Sequence, residues 1–184
     1  MRAVKIGLIV LVVLVMIVGS YKLFSLHKQV QELQKQNTQQ TSSDVVRDVQ
    51  TERGTAVIYL IKSEPTDFHL IPVHRQIGGP VNPTSAVQAL LNGPLVHEEL
   101  YAAVPTNTKL LNLTVRDGLA TADFSREIIE DFQGGSLLES YLVQAIVNTL
   151  TEFDTIERVQ ILVEGKIVES IGGHILITQP LRRN

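Results

Sequence analysis

The 184-residue chain has no cysteine and no tryptophan, and only 5% of it is aromatic. Without cysteine there is no disulfide scaffold, no thiol nucleophile and no cysteine-ligated metal, although the compartment stays open. The aromatics are limited to five Phe and to Tyr21, Tyr59, Tyr101 and Tyr141, which offers few platforms for sugar rings. Basic charge is scarce where it would count: residues 54–184 hold 9 Lys and Arg against 15 Asp and Glu, while residues 1–53 hold 7 against 4. A folded part with net charge −6 is a poor match to the electrostatic footprint of a nucleic-acid binder, so that class is set aside. No serine lies in a Gly-x-Ser-x-Gly elbow, and neither a Walker loop nor a dinucleotide fingerprint is present.

The N-terminus carries the clearest positive signal. Between Ile6 and Val18 every residue except Gly7 is a large aliphatic or Met, and no formal charge occurs from Ile6 to Tyr21. Counted from Val4 to Phe24, with Lys5 and Lys22 snorkelling to the interfaces, the run is long enough for a helix to cross roughly 30 Å of hydrocarbon. A cleavable signal peptide is the competing reading, with Val18 and Ser20 small enough to precede a cleavage site; the length of the run favours a retained anchor. Charge flanking the span weakly favours an internal N-terminus. The expected organisation is a transmembrane anchor over 1–25, a helical stalk and polar linker over 26–53, and a folded domain over 54–184. Leu23, Leu26, Val30 and Leu33 follow a 3-4-3 spacing that extends the helix as a stalk, and the Gln-, Thr- and Ser-rich stretch from Gln36 to Ser43 reads as a linker.

From Thr55 the pattern turns to strands. Thr55–Ile61 is apolar on both faces and reads as a central strand, covered on both sides. After the turn Glu64-Pro65-Thr66-Asp67, Phe68–Arg75 reads as a second strand, and Pro72 assigns it to an edge or a bulge. Asn82 and Pro83 fit N-cap and N1 of a helix to about Leu91, ended by Gly93-Pro94. Lys109–Arg116 and Leu119–Phe124 flank Asp117-Gly118, a two-residue loop of type I′ preference. That register puts Leu111, Leu113 and Val115 on one face with Ala120, Ala122 and Phe124. Ser125 is positioned to cap a short helix over Arg126–Phe132.

Ser136–Gly165 then reads as a long helix, a polar turn and an apolar strand. Ser136 and Glu139 have capping-box spacing, and Leu138, Leu142, Ala145, Ile146 and Phe153 recur at helical period. Ser140, Gln144, Asn148 and Thr151 form a polar stripe. Arg158–Val163 is the last main strand, Gly165-Lys166 a turn, and Ile175–Thr178 one more short strand. The expected fold class is α+β, a small mixed or antiparallel sheet with helices packed on it in the order β-β-α-β-β-α-β, preceded by a single transmembrane helix. The Ser136 helix is expected to cover the Leu111–Phe124 hairpin, and its strand to join Thr55–Ile61 in the same sheet.

Candidate chemistry is sparse. His97-Glu98-Glu99 begins like a zinc-protease helix, but position 101 is Tyr, so the second histidine is missing. His69 and His74 are five apart in a strand and so fall on opposite faces. Glu127, Glu130 and Asp131 share a helical face, more commonly a solvated acidic surface than a cation site. Asn112-Leu113-Thr114 is a sequon inside a strand, read as chance. No catalytic, cofactor or metal residue is assigned, and the chain is not expected to be an enzyme. Asn148 and His174 are carried as weak candidates for partner binding.

Taken together, VIYLI at 57–61, LIPVHR at 70–75, AVQALLNGP at 86–94, VPTNTKLLNLTVRDGLATADFS at 104–125, AIVNTLTEFDTIERVQILVEGK at 145–166 and GGHILITQPL at 172–181 resemble the GerMN domain of bacterial sporulation and spore germination proteins. One departure is Pro105-Thr106-Asn107-Thr108, where similar domains tend to carry Pro-x-Gly-Thr; Asn tolerates a left-handed backbone, so the turn is kept. The resemblance implies a non-catalytic, extracytoplasmic module of the cell envelope, tied to spore formation or germination. It implies an envelope protein partner or, alternatively, peptidoglycan or another cell-wall ligand. Relatives of the fold build ring-like assemblies, so a possible homo-oligomer is carried as well. The expected location is the cell membrane, single-pass, with the C-terminal domain outside.

Overall fold

The chain divides into two units, Met1–Thr51 and Glu52–Asn184. The computed structural model describes residues 54–183, all within the second unit. The anchor expected over 1–25 and the stalk and linker expected over 26–53 lie outside the described residues. Among the described residues, no helix is long and apolar enough to cross a membrane.

The first two strands are β1 (Thr55–Glu64) and β2 (Asp67–Gln76), followed by helix α1 (Pro83–Leu91). A hairpin of β3 (Leu110–Arg116) and β4 (Leu119–Phe124) comes next, then a single turn α2 (Glu127–Glu130). The long helix α3 (Ser136–Thr151) and strand β5 (Arg158–Val163) complete the order. This is the expected α+β order of elements, and the short helix expected over Arg126–Phe132 is the single turn α2.

The strands form two sheets rather than the single sheet expected. β1 pairs only with β2, antiparallel, while the second sheet has the order β3-β4-β5. β5 lies parallel to β4 instead of beside β1. The chain between them makes the helical crossover that a parallel pair requires. Part of the outer edge of β1 is taken elsewhere: Ile61 and Tyr101 exchange N–H···O bonds of 3.0 and 2.8 Å. β1 is nevertheless covered on both faces, because Ile58 and Leu60 of one parity and Tyr59 and Ile61 of the other are all buried. Both α1 and α3 pack against it. Pro72 sits opposite Tyr59 on β2. The N–H and C=O of Ile61 turn away from β2, and Tyr59 has the same parity, so the missing Pro72 N–H falls on the outer edge of β2 and leaves the ladder intact.

Local signals held at α1 and at the hairpin. The Asn82 side chain accepts from the Ser85 N–H at 2.9 Å, and Ser85 Oγ accepts from the Asn82 N–H at 2.9 Å, so Ser85 closes the capping box. Asp117 (φ 49°) and Gly118 (φ 73°) form the type I′ loop. Leu113 pairs with Ala122 and Val115 with Ala120 as expected, but a bulge separates Leu110 from Asn112 and puts Leu110 opposite Phe124. Leu111, expected on the inner face, is the extra residue of that bulge and is half exposed. Ser125 does not cap α2; its Oγ accepts from the Lys109 N–H at 2.9 Å and closes the base of the hairpin.

α3 packs mainly on β1, α1 and β5 rather than over the hairpin. Leu142, Ile146 and Leu150 of α3 share one core with Ala120, Ala122 and Phe124. No strand forms over Ile175–Thr178. Ile177 is fully buried and donates its N–H to Glu169 O at 2.9 Å. The tail then returns to β5 through a bridge between Val159 and Leu181. Gln160 Nε2 reaches Ile161 O and Ile177 O, which seals that edge with a side chain.

Candidate functional site

Three bulky apolar side chains from different elements converge beside the Ile61–Tyr101 bridge. Phe68, the second residue of β2, is 41% exposed, Tyr101 is 61% exposed, and Leu137 in the first turn of α3 is 48% exposed. With Ile61, Ala102 and Leu138 they line a depression of about 320 Å³. Ile61, Ala102 and Leu138 also line a second depression of about 500 Å³, which continues along Ala103–Asn107 and Glu130–Gln133. The two adjoin at these three residues and together are called the groove, apolar on the Phe68 side and polar on the Asp131 side. The framework is fixed by hydrogen bonds: Tyr141 donates its hydroxyl to Phe68 O, and Asn107 Nδ2 donates to Asp131 Oδ2 at 2.7 Å. Contiguous exposed apolar surface in a soluble domain marks an interaction site far more often than scattered single residues do.

The ionisable groups are arranged differently. Glu139, expected to close a capping box with Ser136, is fully buried, and Gly135 takes the N-cap position without a side-chain cap. Its carboxylate accepts from the N–H groups of Ile171 (3.0 Å), Gly172 (2.8 Å) and His174 (2.8 Å), and it lies 3.0 Å from His174 Nδ1. Burial pushes its pKa up, but the backbone donors and His174 together hold it below the ordinary carboxylate value. Arg75, the buried penultimate residue of β2, binds Glu98 through both terminal nitrogens at 3.1 and 2.9 Å. Those Arg75 hydrogen bonds, with the Leu95 N–H, depress Glu98. Glu98 of the His97-Glu98-Glu99 run thus anchors an arginine. Near the chain end, Tyr59 donates to Glu152 at 2.6 Å while Arg183 donates to both. Burial and the Glu152 carboxylate push the Tyr59 hydroxyl up to about 12.

His174 therefore lies against Glu139 with its ring 45% exposed, and its partner is a carboxylate of this domain. Asn148 lies half-buried in the polar stripe, where Gln144 Nε2 donates to Ser140 Oγ at 2.7 Å and Thr151 Oγ1 donates to Val147 O at 2.9 Å. Neither Asn148 nor His174 lines the groove. Among the described residues, no group of three or more His, Asp or Glu is placed to hold a metal ion. Sequence reasoning missed Glu139, although a signal existed: Glu139 precedes Leu142, Val143 and Ile146 at helical spacing, so it belongs to the buried stripe. It also missed the groove, whose members are distant in sequence.

The family model described as "Germane: Sporulation and spore germination" matches residues 27–169. The chain belongs to this family, the GerMN domain family. The spore germination protein GerM of Bacillus subtilis is 27% identical over 144 residues, covering 75% of this chain and 38% of GerM. This GerMN chain thus spans well under half the length of that relative. The solved first GerMN domain of B. subtilis GerM superposes with a TM-score of 0.57 at 26% identity, covering 71% of this chain and 98% of that one. The tandem GerMN domains of the same protein give 0.61 at 24% identity, over 73% of this chain and 47% of theirs.

Proposed function

We propose that this GerMN protein is a non-catalytic, membrane-anchored interaction module of the bacterial cell envelope. Its folded domain lies outside the membrane and supports spore formation or germination by helping to assemble an envelope protein complex. The observation that carries this reading is the contrast within the domain. Three carboxylates held below their ordinary value are engaged in fold contacts, Glu139 to the 171–174 loop, Glu98 to Arg75 and Glu152 to Tyr59 and Arg183, whereas Phe68, Tyr101 and Leu137 are left exposed around one groove. Family membership supports the sporulation or germination setting, and the charge-free run from Ile6 to Tyr21 supports the anchor.

Site-specific photo-cross-linking in the cells that make the protein tests it. A cross-linking residue is placed in turn at Tyr101, Leu111 and Ile167, three exposed positions on different parts of the domain. Adducts with an envelope protein from at least one position are expected during sporulation or germination. Their absence from all three, or robust turnover of cell-wall substrates by the purified chain, overturns the reading.

A further inference from the structure

We infer that the groove between Phe68 and Asp131 receives a protein segment in which a bulky apolar side chain lies within a few residues of lysine or arginine. This rests on the interaction-module reading and adds the chemistry of the partner. The apolar end is a seat for an anchor: Phe68, Tyr101 and Leu137 stand around a depression of about 320 Å³, whose only polar side-chain group is the Tyr101 hydroxyl. A sugar ring presents hydroxyls that need several directed partners. An aliphatic or aromatic side chain needs none, which favours protein over wall polymer.

The seat is built rather than incidental. Tyr101 is held by its backbone pair with Ile61, and Phe68 by the Tyr141 hydroxyl. Gly134 packs so closely that a Cβ there would lie 2.8 Å from Leu138 Cβ and 3.1 Å from Phe132 Cζ, so the wall of the groove depends on that glycine. Interfaces pre-formed in this way lose little freedom on binding.

Charge decides the other end. The charged residues lining the groove are Glu130 and Asp131, both acidic. Glu64 and Asp67 flank Phe68 at the turn between β1 and β2, where Lys62 lies 3.1 Å from Glu64 and His69 lies 3.7 and 3.9 Å from Glu64 and Asp67, all of these side chains about half exposed and so screened by solvent. Arg126 approaches Glu130 at 3.6 Å, but both side chains are more than half exposed, so solvent screens the pair. An apolar seat rimmed by carboxylates, on a domain of net charge −6, attracts a cationic segment and repels an anionic one. A second copy is the less fitting occupant because two such domains repel. The exposed strand β3, with Leu111, Val115 and Arg116 and with Lys109 just before it, nevertheless has related chemistry, so the experiment must separate the two.

The full-length chain in detergent is titrated against two fluorescein-labelled hexapeptides, Lys-Leu-Phe-Gly-Lys-Lys and Glu-Leu-Phe-Gly-Glu-Glu, and binding is read by anisotropy. The basic peptide is expected to bind at least tenfold more tightly, and to weaken as salt is raised. Leu137→Asp and Tyr101→Ala should each weaken it at least tenfold, and Leu111→Asp on β3 should leave it unchanged. Both substituted groove side chains are exposed, so the variants remain folded. Equal binding of the two peptides, or equal loss in Leu111→Asp, overturns the assignment. So does self-association, seen by ultracentrifugation, that Leu137→Asp and Leu111→Asp both abolish, or sedimentation with purified peptidoglycan that depends on Tyr101. Cross-links to envelope proteins from Leu111 or Ile167 but not Tyr101 would leave the interaction role standing and remove the groove. Peptide binding without any cross-link in cells would do the reverse.

Discussion

Leu137 and Glu139 lie two residues apart near the start of α3, and their environments are the opposite of what their side chains suggest. The leucine is 48% exposed and the glutamate is fully buried. The glutamate is accommodated because four donors from the 171–174 loop meet its two oxygens, so burial leaves no charge unsolvated. The leucine has no comparable cover from the domain itself. One turn of helix thus does two jobs: its buried side fastens the C-terminal loop, and its open side contributes to a groove. Exposure of an apolar group and burial of a charged one each need a reason. Here the latch explains the glutamate, and the proposed partner surface would explain the leucine.

The sharpest way to break this comparison is Glu139→Ala. The Ile171 donor would lose its acceptor in the interior and the Gly172 and His174 donors theirs in part-buried positions, with an expected loss of about 3 kcal/mol, since a buried polar group left unsatisfied costs roughly 1–3 kcal/mol. Urea midpoints together with hydrogen exchange at Ile171, Gly172 and His174 would report it; retained protection of those amides would show that the latch is not what holds the loop. Acidification should act on the same group. The folded pKa of Glu139 is depressed, so its contribution is complete above the ordinary value of 4.5 and is lost as pH falls through the depressed one. Unfolding free energy should therefore drop from about pH 5 downward, and less steeply in Glu139→Gln. An identical acid slope in the variant would move the effect to Glu98, Glu127 or Glu152, which are depressed in the same direction.

Smaller effects sharpen the contrast. His174→Ala removes only the half-exposed ring contact and leaves the His174 N–H on Glu139, so about 1 kcal/mol is expected from thermal or urea unfolding. A loss as large as that of Glu139→Ala would make the ring the keystone. Leu137→Asp should change stability by no more than about 0.5 kcal/mol, since it lies on the surface and an acidic residue suits a helix N-terminus. A larger loss would mean that Leu137 is a core residue, and the groove would lose its reason.

Features governed by neighbours in sequence were legible from the chain alone. Asn82-Pro83 started α1, Asp117-Gly118 set the turn of the hairpin, and Arg158–Val163 was bounded correctly as a strand. Pro72 marked an edge strand because a missing N–H restricts where a strand can lie. The partition into two sheets was not legible, since strand pairing is chosen by distant edges competing for one another. The pairing of Ile61 with Tyr101, forty residues on, is one such choice. Leu111 misled because a single bulge reverses which side chains face inward. Ser136 and Glu139 misled because a capping box and a buried carboxylate share the same spacing.

The groove depended on the same long-range choices. Phe68, Tyr101 and Leu137 carry no common motif, and only the return of β2 beside the bridge and the first turn of α3 bring them together. By itself the sequence determined the cap of α1, the turn of the hairpin, the five main strands and the family of this protein, because these follow from backbone preferences and from interactions a few residues long. Tertiary structure alone decided that Glu139 would be enclosed by a loop more than thirty residues away and that Leu137 would stay in water. The energies of burial belong to the space around a side chain, and that space is assembled only when the chain has folded.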